Sequence, residues 1–152
     1  MASPVDPVSR LEAVEEIKGL KARYFRCLDS KDWEGFAAVF APDAVMDMAE
    51  AAGGDPLPDA TSRGPGDIAA YVRRSVEGMV TVHHGHMPEI TVTGDTTAEG
   101  IWVMEDLLRW PGPDGTTGGL HGFGHYHETY EKVGGRWLIT SIRLTRLRVD
   151  MF

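Results

Sequence analysis

The sequence predicts an α+β fold in which helices come first and a meander of antiparallel strands follows. Two observations carry this expectation. Apolar residues recur at three- and four-residue steps through the first half of the chain, and from about Met79 the period changes to two. The segments of the second half are joined by Gly-rich turns rather than helical stretches, which is the pattern of hairpins in one sheet and not of alternating βαβ units. At 152 residues the chain has the size of one domain, so separate cofactor and substrate lobes are not expected.

Residues 1–9 are expected to form a disordered or extended tail ahead of a single domain over 10–152. Ser9-Arg10-Leu11-Glu12 has the spacing of a capping box and places a helix start there. Leu11, Val14, Ile17, Leu20, Tyr24 and Leu28 then share one face, so Tyr24 points inward. A second short helix is predicted from about Asp32 through Trp33, Phe36, Val39 and Phe40, with Pro42 closing it. Ala44-Val45-Met46 reads as a short strand. Residues 50–66 are rich in Gly, Pro and Asp, which predicts a long loop without a regular element and a candidate lid. Pro65 suits the first turn of a third helix whose stripe is Ile68, Tyr71, Val72 and Val76. Strands are predicted over Glu89–Thr93, Ala98–Trp110, Leu120–Val133 and Arg136–Val149, with turns at Gly94-Asp95, Gly112–Gly115 and Gly134-Gly135.

Composition narrows the function. With 23 acidic and 15 basic residues the net charge of -8 repels phosphate backbones, so nucleic acid is not an expected partner. No apolar run approaches the ~18 residues of a membrane span, and Met1–Ser9 lacks the basic and apolar segments of a secretion signal, so a cytoplasmic protein without a membrane partner is expected. The single cysteine, Cys27, has no partner for an internal disulfide and reads as a small buried residue. Asparagine and glutamine are absent, so a polar site must be built from other side chains.

All six histidines fall in two strand regions, at His83, His84 and His86 and at His121, His125 and His127. His125-x-His127-x-x-x-Glu131 has the spacing of half a cupin metal site, but no second half follows. The competing reading is acid-base work by one histidine held by a carboxylate. Asp29 follows Tyr24 near the end of the first helix, where the pair is either part of such a site or a solvated helix end beside a core aromatic. On the strand Ala98–Trp110, Asp106 is in line with Trp102, Met104, Leu108 and Trp110. If that face is the core, its carboxylate must be paired or protonated, and if not, Glu105 takes the inner position. Leu138, Thr140, Ile142, Leu144 and Arg146 form one row, so Arg146 ends an apolar face where it either pairs with Asp106 or binds a substrate oxygen.

With these residues placed, the chain resembles the SnoaL-like branch of the nuclear transport factor 2-like superfamily, especially its bile-acid 7α-dehydratase and scytalone dehydratase members. The carriers are Ile17-x-x-Leu20-x-x-x-Tyr24, Leu28-Asp29, Asp32-Trp33 and Phe40-Ala41-x-Asp43-Ala44, then His83-x-x-x-Met87-Pro88-x-Ile90, Trp102-x-Met104-x-Asp106, Gly124-x-Tyr126-x-x-x-Tyr130 and Arg136-Trp137-x-Ile139. The resemblance spans about residues 10–148. It implies a cone of curved antiparallel sheet closed by three helices around an apolar pocket, with homo-oligomers, often trimers. Carried over by position, it implies Tyr24, Asp29 and His83 as the catalytic group, with Asp106 and Arg146 as companions and Trp102, Met104, Phe40 and His125 in the pocket. The chemistry implied is elimination of water from a steroid-, polyketide- or aromatic-like molecule, with Asp106 or a water it holds protonating the leaving hydroxyl. A double-bond isomerase and a ligand-binding domain without catalysis are the alternatives. No metal or organic cofactor is then required.

Overall fold

The structure, a computed structural model, describes residues 5–152, so the expectation for residues 1–4 lies outside the described span. Helix α1 (Pro7–Asp29) is capped by Asp6, whose carboxylate accepts from the Ser9 backbone N–H at 3.1 Å, and Pro7 fills the first turn, where its missing N–H leaves no bond unmade. The helix thus begins before the predicted box, and residues 7–9 are helix rather than tail. Helix α2 (Trp33–Ala37) is capped by Asp32 on the Gly35 N–H at 2.9 Å. Pro42 does not close it. Phe40 already opens strand β1 (Phe40–Asp47), and Pro42 stands where the pairing of β1 is interrupted between Phe40 and Val45, as suits a residue with no N–H to donate.

Within 50–66, Thr61–Arg63 forms a short strand β2 on β1, one regular element where none was predicted. Helix α3 (Pro65–Val76) starts on its proline and buries Ile68, Val72 and Val76. Strands β3 (Val80–Val92), β4 (Thr97–Pro111), β5 (Thr117–Val133) and β6 (Arg136–Met151) form the antiparallel meander. The sheet has six strands in the order β2-β1-β6-β5-β4-β3. β1 runs parallel to β6, so the sheet is mixed, and β2 and β3 are free edges: it is an open cone, not a closed barrel. No helix among the described residues is long and apolar enough to cross a membrane.

Interruptions in pairing bend the sheet. They lie between Gly85 and Pro88 in β3, and between Phe123 and Gly124 and between Thr129 and Tyr130 where β5 meets β6. The last one changes which side chains face inward. Trp137 and Ile139 are buried before it, Ile142 and Leu144 after it, and Leu138 and Thr140 are only half-buried. The single row predicted from Leu138 to Arg146 is therefore broken: Thr140 is the extra residue of a bulge, which shifts the alternation by one position. At Gly124, beside the other interruption, a methyl group would overlap the Thr145 carbonyl, so only glycine lets the two strands approach.

Two stability predictions follow from these contacts. Asp6→Ala should cost about 1 kcal/mol, as read from the urea midpoint, and Ser9→Ala less; the reverse order would return the cap to Ser9. Gly124→Ala should cost about 1–3 kcal/mol or more, because backbone rather than a flexible side chain blocks the methyl group.

Candidate active site

The way α1 ends positions its last carboxylate. Ser30 caps the helix and Lys31 takes a left-handed φ of 61°, turning the chain away and leaving Asp29 against β3. Thr81 and His83 are alternate residues of β3 and so project to the same side. Thr81 Oγ1 donates to Asp29 Oδ1 at 2.8 Å, the His83 backbone N–H donates to Oδ2 at 2.8 Å, and His83 Nδ1 lies 2.7 Å from Oδ1. An ionised carboxylate only accepts, so this assigns the proton to Nδ1 and leaves Nε2 as the acceptor of the ring. Lys31 Nζ completes the cluster by donating to Thr81 Oγ1 at 2.6 Å. Burial works to raise the Asp29 pKa, but the bonds from His83 and Thr81 outweigh it and hold the carboxyl below its ordinary value. The His83 side chain, 7% exposed, borders a cavity of about 250 Å³ in the mouth of the cone.

Asp106 occupies the inner face of β4, 4% exposed, which settles the choice between it and Glu105. Arg146 grips it with two bonds, Nη1 to Oδ1 at 2.7 Å and Nη2 to Oδ2 at 2.9 Å. Its Nε donates to the Ala51 carbonyl at 2.9 Å, so the same guanidinium ties the long loop, whose Ala51, Ala52 and Leu57 line the cavity, to the sheet. Gly122 lies opposite Asp106 on β5, and a side chain there would collide with both members of the pair.

Tyr24 and Tyr126 form a third polar point of the cavity wall, their rings 6.0 Å apart. Burial first, then the nearby Tyr126 and Glu128, push the Tyr24 hydroxyl well above its ordinary pKa, and burial raises Tyr126 likewise. Both remain protonated donors at neutral pH. Leu28, Met48, Val72, Leu120 and Leu144 make the rest of the wall apolar.

Of the residues singled out from sequence, Tyr24, His83, Asp106 and Arg146 line this cavity, and Asp29 stands directly behind His83. Trp102, Met104 and Phe40 do not line it; they lie one layer deeper. The Trp102 indole donates to the Tyr130 hydroxyl at 2.8 Å, Met104 Sδ is 3.6 Å from Arg146 Nη1, and Phe40 packs edge-on to Tyr24. His125 is on the opposite side of the sheet, because it alternates with the buried Gly124 and Tyr126. His127 shares that outer face, where its Nε2 meets Thr145 Oγ1 at 3.0 Å. Glu131 is exposed, and among the described residues no three His, Cys, Asp or Glu side chains are grouped to hold a metal ion. His84, His86 and His121 gather instead around Glu105 on the outer face, at 3.1, 3.7 and 3.2 Å. A larger groove of about 570 Å³ on that face, bordered by Glu89, Glu99, His127 and Arg143, contains no histidine held by a buried carboxylate.

Sequence reasoning missed Lys21, Tyr126 and Glu128. The available signal was positional: Lys21 comes four residues after Ile17 and three before Tyr24 on the buried stripe, and Glu128 alternates inward with Tyr126 and Tyr130.

Comparison with known proteins sets this geometry in a family. The model of the SnoaL-like domain matches residues 9–143. Probable cyclase FGR4 of Gibberella zeae is 30% identical over 148 residues, covering 90% of this chain and 92% of that one. The fold is similar to that of a scytalone dehydratase-like protein from Novosphingobium aromaticivorans, with a TM-score of 0.80 at 20% identity over 97% of this chain and 92% of that one. It is equally similar to a hexachlorocyclohexane dehydrochlorinase of LinA type 2, with a TM-score of 0.81 at 16% identity over 97% and 93% of the two chains. The family match, together with a relative at 30% identity over nearly all of both chains, shows that the chain belongs to the SnoaL-like domain family.

Proposed function

We propose that the chain is a cofactor-independent lyase that eliminates water from a small apolar molecule, next to a carbonyl or enone. The observation that supports this reading is the 2.7 Å contact between His83 Nδ1 and Asp29 at the wall of an otherwise apolar cavity. A ring whose Nδ1–H is fixed by a carboxylate offers Nε2 as a base in one orientation, and the acid stabilises the imidazolium once it forms. The relatives are named as a cyclase, a dehydratase and a dehydrochlorinase, all converters of small molecules.

In the proposed reaction, His83 Nε2 removes the proton from the carbon beside the carbonyl, and the electron pair moves onto the carbonyl oxygen. The Tyr24 hydroxyl, seconded by Tyr126, donates to that oxygen as its negative charge develops. Collapse of the enolate breaks the bond to the β-hydroxyl, which departs as water with the proton carried by the imidazolium, and His83 returns to its neutral form. Asp106 has a different part from that of an acid. Each of its oxygens already accepts from Arg146, so the pair serves as a fixed polar anchor in the cavity wall. The cavity is smaller than the ~300–1,000 Å³ of sites for drug-sized ligands, which favours a substrate of one or two rings over a tetracyclic steroid.

His83→Ala and Asp29→Asn should each lower turnover by a factor of about 10²–10⁴ while leaving the melting transition cooperative. Mass spectrometry of products from a panel of cyclic β-hydroxy ketones should show loss of one water; conversion at unchanged mass would make the chain an isomerase, and full turnover by both variants would end the acid-base reading. Asp29 adds a pH signature. Its folded carboxyl lies below the unfolded value of about 3.9, so its stabilising contribution is complete above that value and is lost as pH falls through the lower folded one. The gap in urea midpoint between wild type and Asp29→Asn should be widest near neutrality and shrink below about pH 4, whereas a pH-independent gap would show that its charge contributes nothing.

A further inference from the structure

Beneath the cavity lies a charged pair that the proposed elimination leaves unused. Lys21 is 0% and Glu128 3% exposed, and the Lys21 ammonium is ion-paired with Glu128 Oε1. Glu128 Oε2 accepts from the Tyr130 hydroxyl at 2.5 Å, and that hydroxyl accepts from Trp102 Nε1 at 2.8 Å. Every polar atom of the chain from Trp102 to Lys21 thereby has at least one partner, the condition under which a buried ion pair is tolerated. The ammonium also has a second set of neighbours. It sits 3.8 Å from the centroid of the Tyr24 ring and 3.9 Å from that of Tyr126, over the faces of the two phenols that line the cavity.

We propose that Lys21 is a positioning residue acting through Tyr24 and Tyr126: its charge, held between the two ring faces, polarises both phenols so that they bind an oxygen with developing negative charge more tightly than a neutral carbonyl. The inference rests on the reading above, in which these hydroxyls hold the enolate oxygen. As a phenol donates more strongly, electron density moves into its ring, and a cation over the face gains attraction in step. The pair is shielded from water, so the field of the ammonium reaches the rings with little screening. Burial alone would lower the Lys21 pKa, and the Glu128 carboxylate opposes that loss of charge. Core packing alone does not account for a lysine here, since methionine would fill similar space without a charge to neutralise.

The test uses the full chain and ring-substituted 2-naphthols of graded acidity as probes of oxyanion binding, with affinities read by fluorescence in weakly acidic buffer. In the wild type, affinity should rise with naphthol acidity. In Lys21→Met/Glu128→Gln, which removes both charges together, the most acidic naphthol should lose about tenfold in affinity and the least acidic much less, so the slope flattens. Equal weakening across the series, with the slope kept, would overturn the inference and leave Lys21 a structural residue, while the proposed function would stand. A wild type with no slope at all would remove the enolate site and the role of Lys21 with it. If the double variant lacks a cooperative melt, Glu128→Gln decides, because it removes the carboxylate that keeps the buried ammonium charged: a flatter slope is expected, and an unchanged or steeper one overturns the proposal.

Discussion

One carboxylate joins the helical half of the molecule to the sheet at the place where the His83 ring is held. β3 is an edge strand, and an edge presents backbone donors that pair with no neighbouring strand. Asp29, at the last position of α1, accepts the His83 N–H with one oxygen, and takes the Thr81 hydroxyl and the His83 ring with the other. Docking of the helix, protection of the edge and orientation of the imidazole are thus a single set of bonds. Moving the end of α1 by one residue would rotate the carboxylate away by about 100° and undo all three together.

The same physical rule recurs deeper in the cone. An interior this apolar tolerates charge only where charge is answered, and each buried ionic group is met by a partner from a distant part of the chain: Asp106 by Arg146, and Lys21 by Glu128. The glycines follow from these pairs. Gly122 is bare because the Asp106 carboxylate and the Arg146 guanidinium occupy the space its side chain would need. The result is a cavity with a few fixed polar points on an apolar wall.

Much of this was legible in the sequence, for identifiable reasons. The order of elements follows from periodicity, and the inward course of Tyr24 follows from counting by three and four along α1; counting by two along β4 aligns Asp106 with Trp102 and Met104 but leaves open which face is the inner one until burial decides it. The bulge at Thr140 was not legible, because an extra residue in a strand leaves no trace in composition and declares itself only when burial changes phase. The start of α1 is ambiguous in the sequence because Ser9 and Asp6 both offer a cap, and Pro7 in the first turn decides for Asp6. Lys21 and Glu128 were hidden by their chemistry: a charged residue on an apolar stripe reads as a surface residue until its partner, 107 positions away, is seen. Resemblance alone puts His125 in the pocket, and the alternation of β5 puts it on the outer face.

Frame and wall obey different demands, and this explains how relatives with low identity share the fold. The frame requires a pattern: apolar residues at the right period, small residues at the bulges, and a cap at each helix start. Many sequences satisfy it. The wall depends on individual atoms, since Asp29 alone makes the bonds to Thr81, to the His83 N–H and to the His83 ring. A family built this way can change reaction by changing a handful of inward side chains. Function in such a chain is therefore to be argued from the contacts those side chains make, and here they run from Asp29 to the ring of His83 and from Lys21 to the ring faces of Tyr24 and Tyr126.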